Sequence, residues 1–218
     1  MNNKELMNLA ADNIRLLAVS MVEKAKSGHP GGAMGGADFI NVLFSEFLVF
    51  DPERPEWEGR DRFYSALALQ GKFTIDELKT FRQWGSVCPG HPERDIMHGI
   101  ENTSGPLGQG HTYAVGAAIA EKFLEARLGK TMMQHKIYAY ISDGGVQEEV
   151  SQGAGRIAGL LKLNNLIMFY DANEIQLSTE CNVVMNENTR MKYESWGWNV
   201  LEINGNDPDE ILAALILA

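Results

Sequence analysis

Apolar residues recur at helical spacing from Lys4 to Lys26, at Leu6, Leu9, Ala10, Ile14, Leu17, Met21 and Ala25, and predict an amphipathic helix. Glycines and Pro30 break it between Ser27 and Met34, leaving His29 on a loop, and a short, very apolar helix is expected from Asp38 to Phe50. Asp51 to Arg62 is charged and turn-rich and reads as a surface connection. Thr74 to Gln83 predicts a helix that Thr74 caps with Glu77 at the reciprocal position, and Val87 to Glu93 is a loop carrying His91. A glycine-rich stretch, Thr103 to Gly110, leads into a helix from Thr112 to Leu128. Strands are expected at Lys136 to Ile141, Asn165 to Tyr170 and Trp198 to Ile203, a helical or turn segment at Met191 to Gly197, and a helix from Pro208 onward. The first two strands are apolar enough to be buried on both faces, so the expected fold is α/β, with a mainly parallel sheet and helices on both faces.

The chain is organised around Ser142 to Ile175, which reads as one βαβ unit: strand, the turn Ser142-Asp143-Gly144-Gly145, an acidic helix start at Glu148 and Glu149, and a second strand followed by Asp171-Ala172-Asn173-Glu174-Ile175. Parallel strands end on the same edge of a sheet, where ligands bind. Asp143 and Asn173 are therefore expected to face each other. An Asp oxygen, an Asn oxygen and a nearby main-chain carbonyl suit Mg²⁺ or Ca²⁺, and Gly144 would let an anionic group approach the backbone. Taken singly, each residue also has a plainer reading, Asp-Gly as a turn and Asn as a cap or Asx-turn. It is their pairing after two strands that favours a site for a metal-bridged diphosphate.

Composition narrows the classes. The 218 residues, 44% of them hydrophobic, suffice for one sizeable core. A formal net charge of -10 without any Lys/Arg run argues against a nucleic acid or an anionic membrane as partner. Cys88 and Cys181 lie far apart, and the N-terminus has no charged-then-apolar signal pattern, so a reducing cytoplasm is expected. The spacing of Thr103 to Gly110 is not the G-x-G-x-x-G of a dinucleotide fold; its small residues suit main-chain contact with a flat heterocycle.

The Ser142 to Ile175 segment resembles the fingerprint of thiamin-diphosphate-dependent enzymes, and its wording is similar to the transketolase family. Ser27-Gly28-His29-Pro30-Gly31 with Met34 and Ala37-Asp38, Arg60-Asp61-Arg62-Phe63, Pro89-Gly90-His91-Pro92-Glu93 and Thr103-Ser104-Gly105-Pro106-Leu107-Gly108-Gln109-Gly110 follow in the family's order. The resemblance implies that residues 1–218 form the diphosphate- and metal-binding domain, incomplete, with the pyrimidine-binding and C-terminal domains outside this chain. It implies Mg²⁺, or Ca²⁺, held by Asp143, Asn173 and the main-chain oxygen of Ile175. Gly144 and Asn173 would contact the cofactor's diphosphate end, and Gly105, Pro106 and Leu107 its rings. His29 and His91 would handle substrate oxygens. The activity implied is transfer of a two-carbon ketol unit from a ketose phosphate to an aldose phosphate, with a pyrimidine-binding domain or subunit completing the site in a homodimer.

Some positions depart from the family pattern. Ser142 replaces the first glycine of the metal motif, and Gly153 stands where the family has the second of two glutamates at the subunit contact, the first matching Glu148. Phe63 is joined directly to Tyr64, where the family has a loop with a Gly-His pair, so a gap in the chain is expected at that junction. Two alternatives stay open: another thiamin enzyme of the deoxyxylulose-phosphate synthase or phosphoketolase type, and a non-catalytic metal- or phosphate-binding module.

Overall fold

The computed structural model describes residues 3–51, 53–54, 73–98, 100, 102–103, 105–176 and 179–218. Arg60-Asp61-Arg62-Phe63 and the Phe63–Tyr64 junction lie outside them. The described residues cluster into two units, one from residues 3–105 and 203–217, the other from 106–202 with Ala218.

The first unit is helical. Helix α1, Lys4–Ala25, starts at Asn3, whose side chain accepts from Glu5 N at 2.8 Å, and ends on Lys26 in the left-handed region, φ 50°. Met7 and Ala11 are its buried residues, while Leu6 and Leu9 are exposed, so the core-facing stripe at this end is offset by one or two positions from the sequence expectation. Asn41 selects that stripe by donating Nδ2 to Met7 O at 3.0 Å. Helix α2, Gly31–Gly35, and α3, Ala37–Val42, are followed by a π-helical turn, Leu43–Phe47, so the expected loop shrinks to residues 27–30. Phe39, Val42 and Leu43 are fully buried, and burying each contributes about 2 kcal/mol. Asp38 is buried beside Arg15, which bonds it and also donates Nε to Met34 O at 3.2 Å.

Helix α4 is only Ile75–Leu78, shorter than expected, but its capping box is present: Thr74 Oγ1 accepts from Glu77 N, and Glu77 Oε2 accepts from Thr74 N at 2.7 Å. Arg82 stops further helix by taking φ 61° and donating its N–H to Cys88 O at 3.0 Å.

In the second unit, α5, Gln109–Leu128, begins three residues earlier than expected and is followed by the short α6, Lys130–Met133. Strand β1, Ile137–Ser142, leads through α7, Asp143–Gln147, and α8, Glu149–Leu161, to β2, Leu166–Asp171. The strands pair in parallel with Ile137 opposite Leu166 and Ser142 opposite Asp171, so the expected βαβ unit is present and the fold is α/β. Asp143 to Gln147 is a helical turn of its own rather than a plain turn, and Glu148 stands in extended conformation at the start of the longer helix without a side-chain cap.

Ala114, Val115 and Ala118 of α5 pack on Ile137, Ala139 and Leu166, with Ala154 and Ala158 of α8 in the same cluster. Residues beyond Leu166 in β2 are only half-buried, against the expectation of burial on both faces. Helix α9, Thr189–Ser195, adds Tyr193 to a second cluster with Ile141 and Val146. The expected strand at 198–203 does not form among the described residues. Trp198 and Val200 do turn inward at period two, packing on the Tyr193 cluster, but Trp198 Nε1 donates to Gly155 O at 2.9 Å and no neighbouring strand supplies a ladder. Helix α10, Pro208–Leu217, belongs to the first unit, where Ile211 and Leu212 are buried.

Candidate functional site

In the second unit, β1 and β2 both run out at the same edge, as parallel pairing requires. Asp143 is the first residue of α7 and is 3% exposed. Its Oδ2 accepts from the main-chain N–H groups of Asn173 at 3.1 Å and Glu174 at 3.0 Å. Its Oδ1 accepts from the Tyr170 hydroxyl. Glu174 is held at φ 62°, a left-handed conformation uncommon for a residue with a Cβ, as it presents its N–H to the carboxylate. Asp143 and the 173–174 segment are thus brought together, not separated across the sheet.

The Asn173 side chain has a second engagement. Its Oδ1 accepts from Ile175 N at 3.0 Å and its Nδ2 donates to Asp171 Oδ2 at 3.1 Å. This is the Asx-turn that the plainer reading expects, and it coexists with the approach to Asp143. Its geometry fixes which end of the amide is oxygen, which matters because only that end can meet a cation. Ile175 is exposed and bridges Glu180.

Leu107 and Gly144 are neighbours. A Cβ built on Gly144 would meet Leu107 Cδ1 at 3.5 Å, an ordinary contact, so the packing of the chain does not itself demand glycine there. Gly108 is the opposite case: at φ 82°, an added Cβ would lie 2.6 Å from Val150 Cγ1 and 2.9 Å from Ser151 Oγ. That close seat pins the Pro106-Leu107 end of the glycine-rich stretch against the start of α8.

These residues fit a cation and a phosphate. A carboxylate has about four lone-pair sites; Asp143 accepts from one hydroxyl and two N–H groups, and the Cys181 thiol also bonds to it. Among the described residues no group of three His, Cys, Asp or Glu side chains could hold a metal. A cation here would therefore depend on one carboxylate, an amide oxygen, a main-chain oxygen and the ligand's own phosphates, a donor set suited to Mg²⁺. Burial, with the neighbouring Asp143 charge, raises the Cys181 thiol, so it stays protonated beside the carboxylate.

In the first unit, His29 and His91 are exposed and their rings stand 6.2 Å apart, tilted by 40°. Gly105 lies against His91, whose Cγ would be 3.3 Å from an added Cβ. Gly28, at φ 133°, has Phe81 and Val22 so close that a Cβ would come within 2.9 Å and 3.1 Å of them. Three motifs that lie far apart in sequence, around residues 28, 91 and 105, therefore meet in this unit.

The family model described as "Transketolase, thiamine diphosphate binding domain" matches residues 6–218. The chain belongs to the transketolase family. The transketolase of Geobacillus stearothermophilus is 44% identical over 223 residues, covering 95% of this chain and 33% of that protein. That aligned stretch is longer than the 218 residues here, so the relative holds residues that this chain lacks. Transketolase from Campylobacter jejuni superposes with a TM-score of 0.91 at 41% identity, covering 100% of this chain and 36% of that one. A Pichia stipitis transketolase described in complex with sedoheptulose 7-phosphate superposes at 0.89 with 36% identity, covering 97% of this chain and 34% of its own. The chain thus spans about a third of the length of its transketolase relatives. Among the described residues no helix is long and apolar enough to cross a membrane.

Sequence reasoning did not single out Tyr140, Tyr170 or Asp171 as part of this candidate site. Tyrosine is an ordinary strand former. The usable signal is its place just before an aspartate at a strand end, Tyr170 one residue before Asp171 and Tyr140 three before Asp143.

Proposed function

We propose that this chain is the diphosphate- and metal-binding part of an enzyme that transfers a two-carbon ketol unit from a ketose phosphate to an aldose phosphate, in pentose phosphate metabolism in the cytoplasm. The observation that carries the reading is the meeting of the buried Asp143 carboxylate with the Asn173 segment at the carboxyl edge of β1 and β2, beside a Gly144 that the chain's own packing leaves open. Asp143, Asn173 Oδ1 and the main-chain oxygen of Ile175 are the proposed ligands of Mg²⁺, with Ca²⁺ also admissible. Gly144 lets the diphosphate come close to the backbone, and Gly105, Pro106 and Leu107 are the proposed contacts to the cofactor rings. Thiamin diphosphate, when bound, supplies the carbon–carbon bond chemistry. His29 and His91, whose ring centroids stand 6.2 Å apart, are the proposed groups that hold and polarise the sugar's oxygens.

A pyrimidine-binding domain or subunit completes the site, and a homodimer brings the parts together, Glu148 lying at the contact. The sugar phosphate class is supported by the Pichia stipitis complex, and the reducing compartment by the two free thiols, Cys88 and Cys181. The test is calorimetry of thiamin diphosphate binding with and without Mg²⁺, together with ketol-transfer assays of the chain with and without a complementary half. Asp143→Ala should abolish metal-dependent binding while the protein stays folded. Unchanged binding in that variant, or wild-type binding indifferent to Mg²⁺, would overturn the assignment.

A further inference from the structure

Two tyrosines and two aspartates are exchanged across the strand pair. Tyr140 lies on β1 and donates its hydroxyl, at 2.6 Å, to Asp171 at the end of β2. Tyr170 lies on β2 and donates to Asp143, the residue that follows β1. Side chains alternate between the faces of a strand, and the register sets Ile141 opposite Tyr170 and Ser142 opposite Asp171. Tyr140 and Asp171 therefore share one face, Tyr170 and Asp143 the other. Each strand end has its carboxylate held by a phenol from the neighbouring strand, once on each face.

The two pairs act on different atoms of the proposed cation site. Both oxygens of Asp143 turn together about the Cβ–Cγ bond, and they are anchored at two points, Oδ2 by two main-chain amides and Oδ1 by the Tyr170 hydroxyl. Asp171 Oδ2 takes both the Tyr140 hydroxyl and Asn173 Nδ2, the latter at 3.1 Å. An ionised carboxylate only accepts, so Asp171 admits the amide in one orientation, the one that leaves Oδ1 as the oxygen end beside Ile175 N. Burial raises both phenols, with the bonds to the two carboxylates acting in the same direction, so both stay protonated donors.

We propose that Tyr170 and Tyr140 are positioning residues of the site, Tyr170 setting the plane of the Asp143 carboxylate and Tyr140 acting through Asp171 to set the orientation of the Asn173 amide. The inference rests on the cation assignment above. It implies selectivity as well as affinity, because Mg²⁺ demands near-ideal octahedral geometry whereas Ca²⁺ tolerates irregular sites.

The experiment titrates Mg²⁺ and Ca²⁺ into the full chain with thiamin diphosphate, followed by calorimetry, for the wild type and for Tyr170→Phe, Tyr140→Phe and Asp171→Asn. Loss of a hydrogen-bonding partner behind a metal ligand weakens metal binding by about 10- to 100-fold. Each variant should raise the Kd for Mg²⁺ by a factor in that range, and that for Ca²⁺ by less than about 3-fold, since its site adapts. The melting temperature of the metal-free protein is measured alongside. Equal weakening of both ions together with a lower melting temperature means a purely structural role and overturns the inference, as do wild-type affinities for both ions. If Asp143→Ala abolishes binding while the phenylalanine variants match the wild type, the positioning inference alone falls. If the wild type itself binds thiamin diphosphate without regard to either ion, both fall.

Discussion

The main-chain oxygen of Trp196 occupies the space where a Cβ on Gly159 would stand, only 2.0 Å from that position. One turn earlier on α8, a Cβ on Gly155 would come within 3.0 Å of the Trp196 ring. The helix thus carries a groove of two glycines into which the end of α9 is laid. Replacing Gly159 with Ala must push α8 and α9 apart and should cost about 3 kcal/mol. Gly153, on the same helix, has nothing within 4 Å of its virtual Cβ, and Gly153→Ala should stabilise by up to about 1 kcal/mol. Urea denaturation of the two variants checks the contrast; equal effects would refute the groove.

His111 is 3% exposed on α5, both of its ring nitrogens lack a partner, and its ring stacks 6.5 Å from Tyr193. Burial pushes its pKa down to about 4. The facing Tyr193 phenol is pushed up to about 12 and stays neutral throughout. The folded state therefore holds His111 uncharged, while the unfolded chain takes up a proton near pH 6.5, so stability is full above that pH and drains away as pH falls towards 4. One pKa unit corresponds to about 1.4 kcal/mol, so about 2 kcal/mol is lost at pH 5. His111→Leu should flatten this part of the profile. Parallel denaturation midpoints from pH 7 to 4.5 in both proteins would disprove the role of His111.

Gly108 carries two constraints at once, φ 82° and a seat against Val150 and Ser151. Gly108→Ala should lose about 2 kcal/mol of stability. It should also weaken thiamin diphosphate binding, because Leu107, drawn along with it, leaves its contact beside Gly144. Cofactor affinity unchanged in a destabilised variant would show that the loop serves folding alone.

For the histidines, the proposed role separates rate from cofactor affinity. His29→Ala should lower kcat/KM for the ketose phosphate by about 100-fold, the scale of losing one donor to a reacting oxygen, with the thiamin diphosphate Kd unaltered. A comparable loss of cofactor affinity would move His29 from the sugar to the cofactor.

Local rules found much of this fold. The first long helix, its break at Ser27, the Thr74–Glu77 cap and the βαβ unit each leave a signal within a few residues. What failed depended on distant partners. Trp198 to Ile203 has a strand's alternation, yet a strand exists only where another edge offers hydrogen bonds. The choice of Met7 over Leu6 was made by Asn41, 34 positions on. Arg82 ended α4's continuation through a left-handed turn that arginine does not announce. At the site, Asp143 and Asn173 could be read because strand ends are local, whereas the tyrosines that hold the carboxylates could not, since their partners sit 27 and 31 positions away.

Lys4 reaches Asp207 at 2.8 Å and Asp209 at 3.2 Å, so the opening helix of the first unit is tied to residues 203 positions and more downstream. The other unit, residues 106–202 apart from Ala218, is continuous in sequence and needs nothing from α10 to fold. Nascent chains in which residue 202 is followed by a flexible linker long enough to span the exit tunnel should accordingly resist protease across 106–202 while being cut within 3–105. The half of the molecule translated first is the half that finishes folding last, and until its closing helix arrives the apolar surface around Phe39 and Leu43 is left to whatever escorts the growing chain.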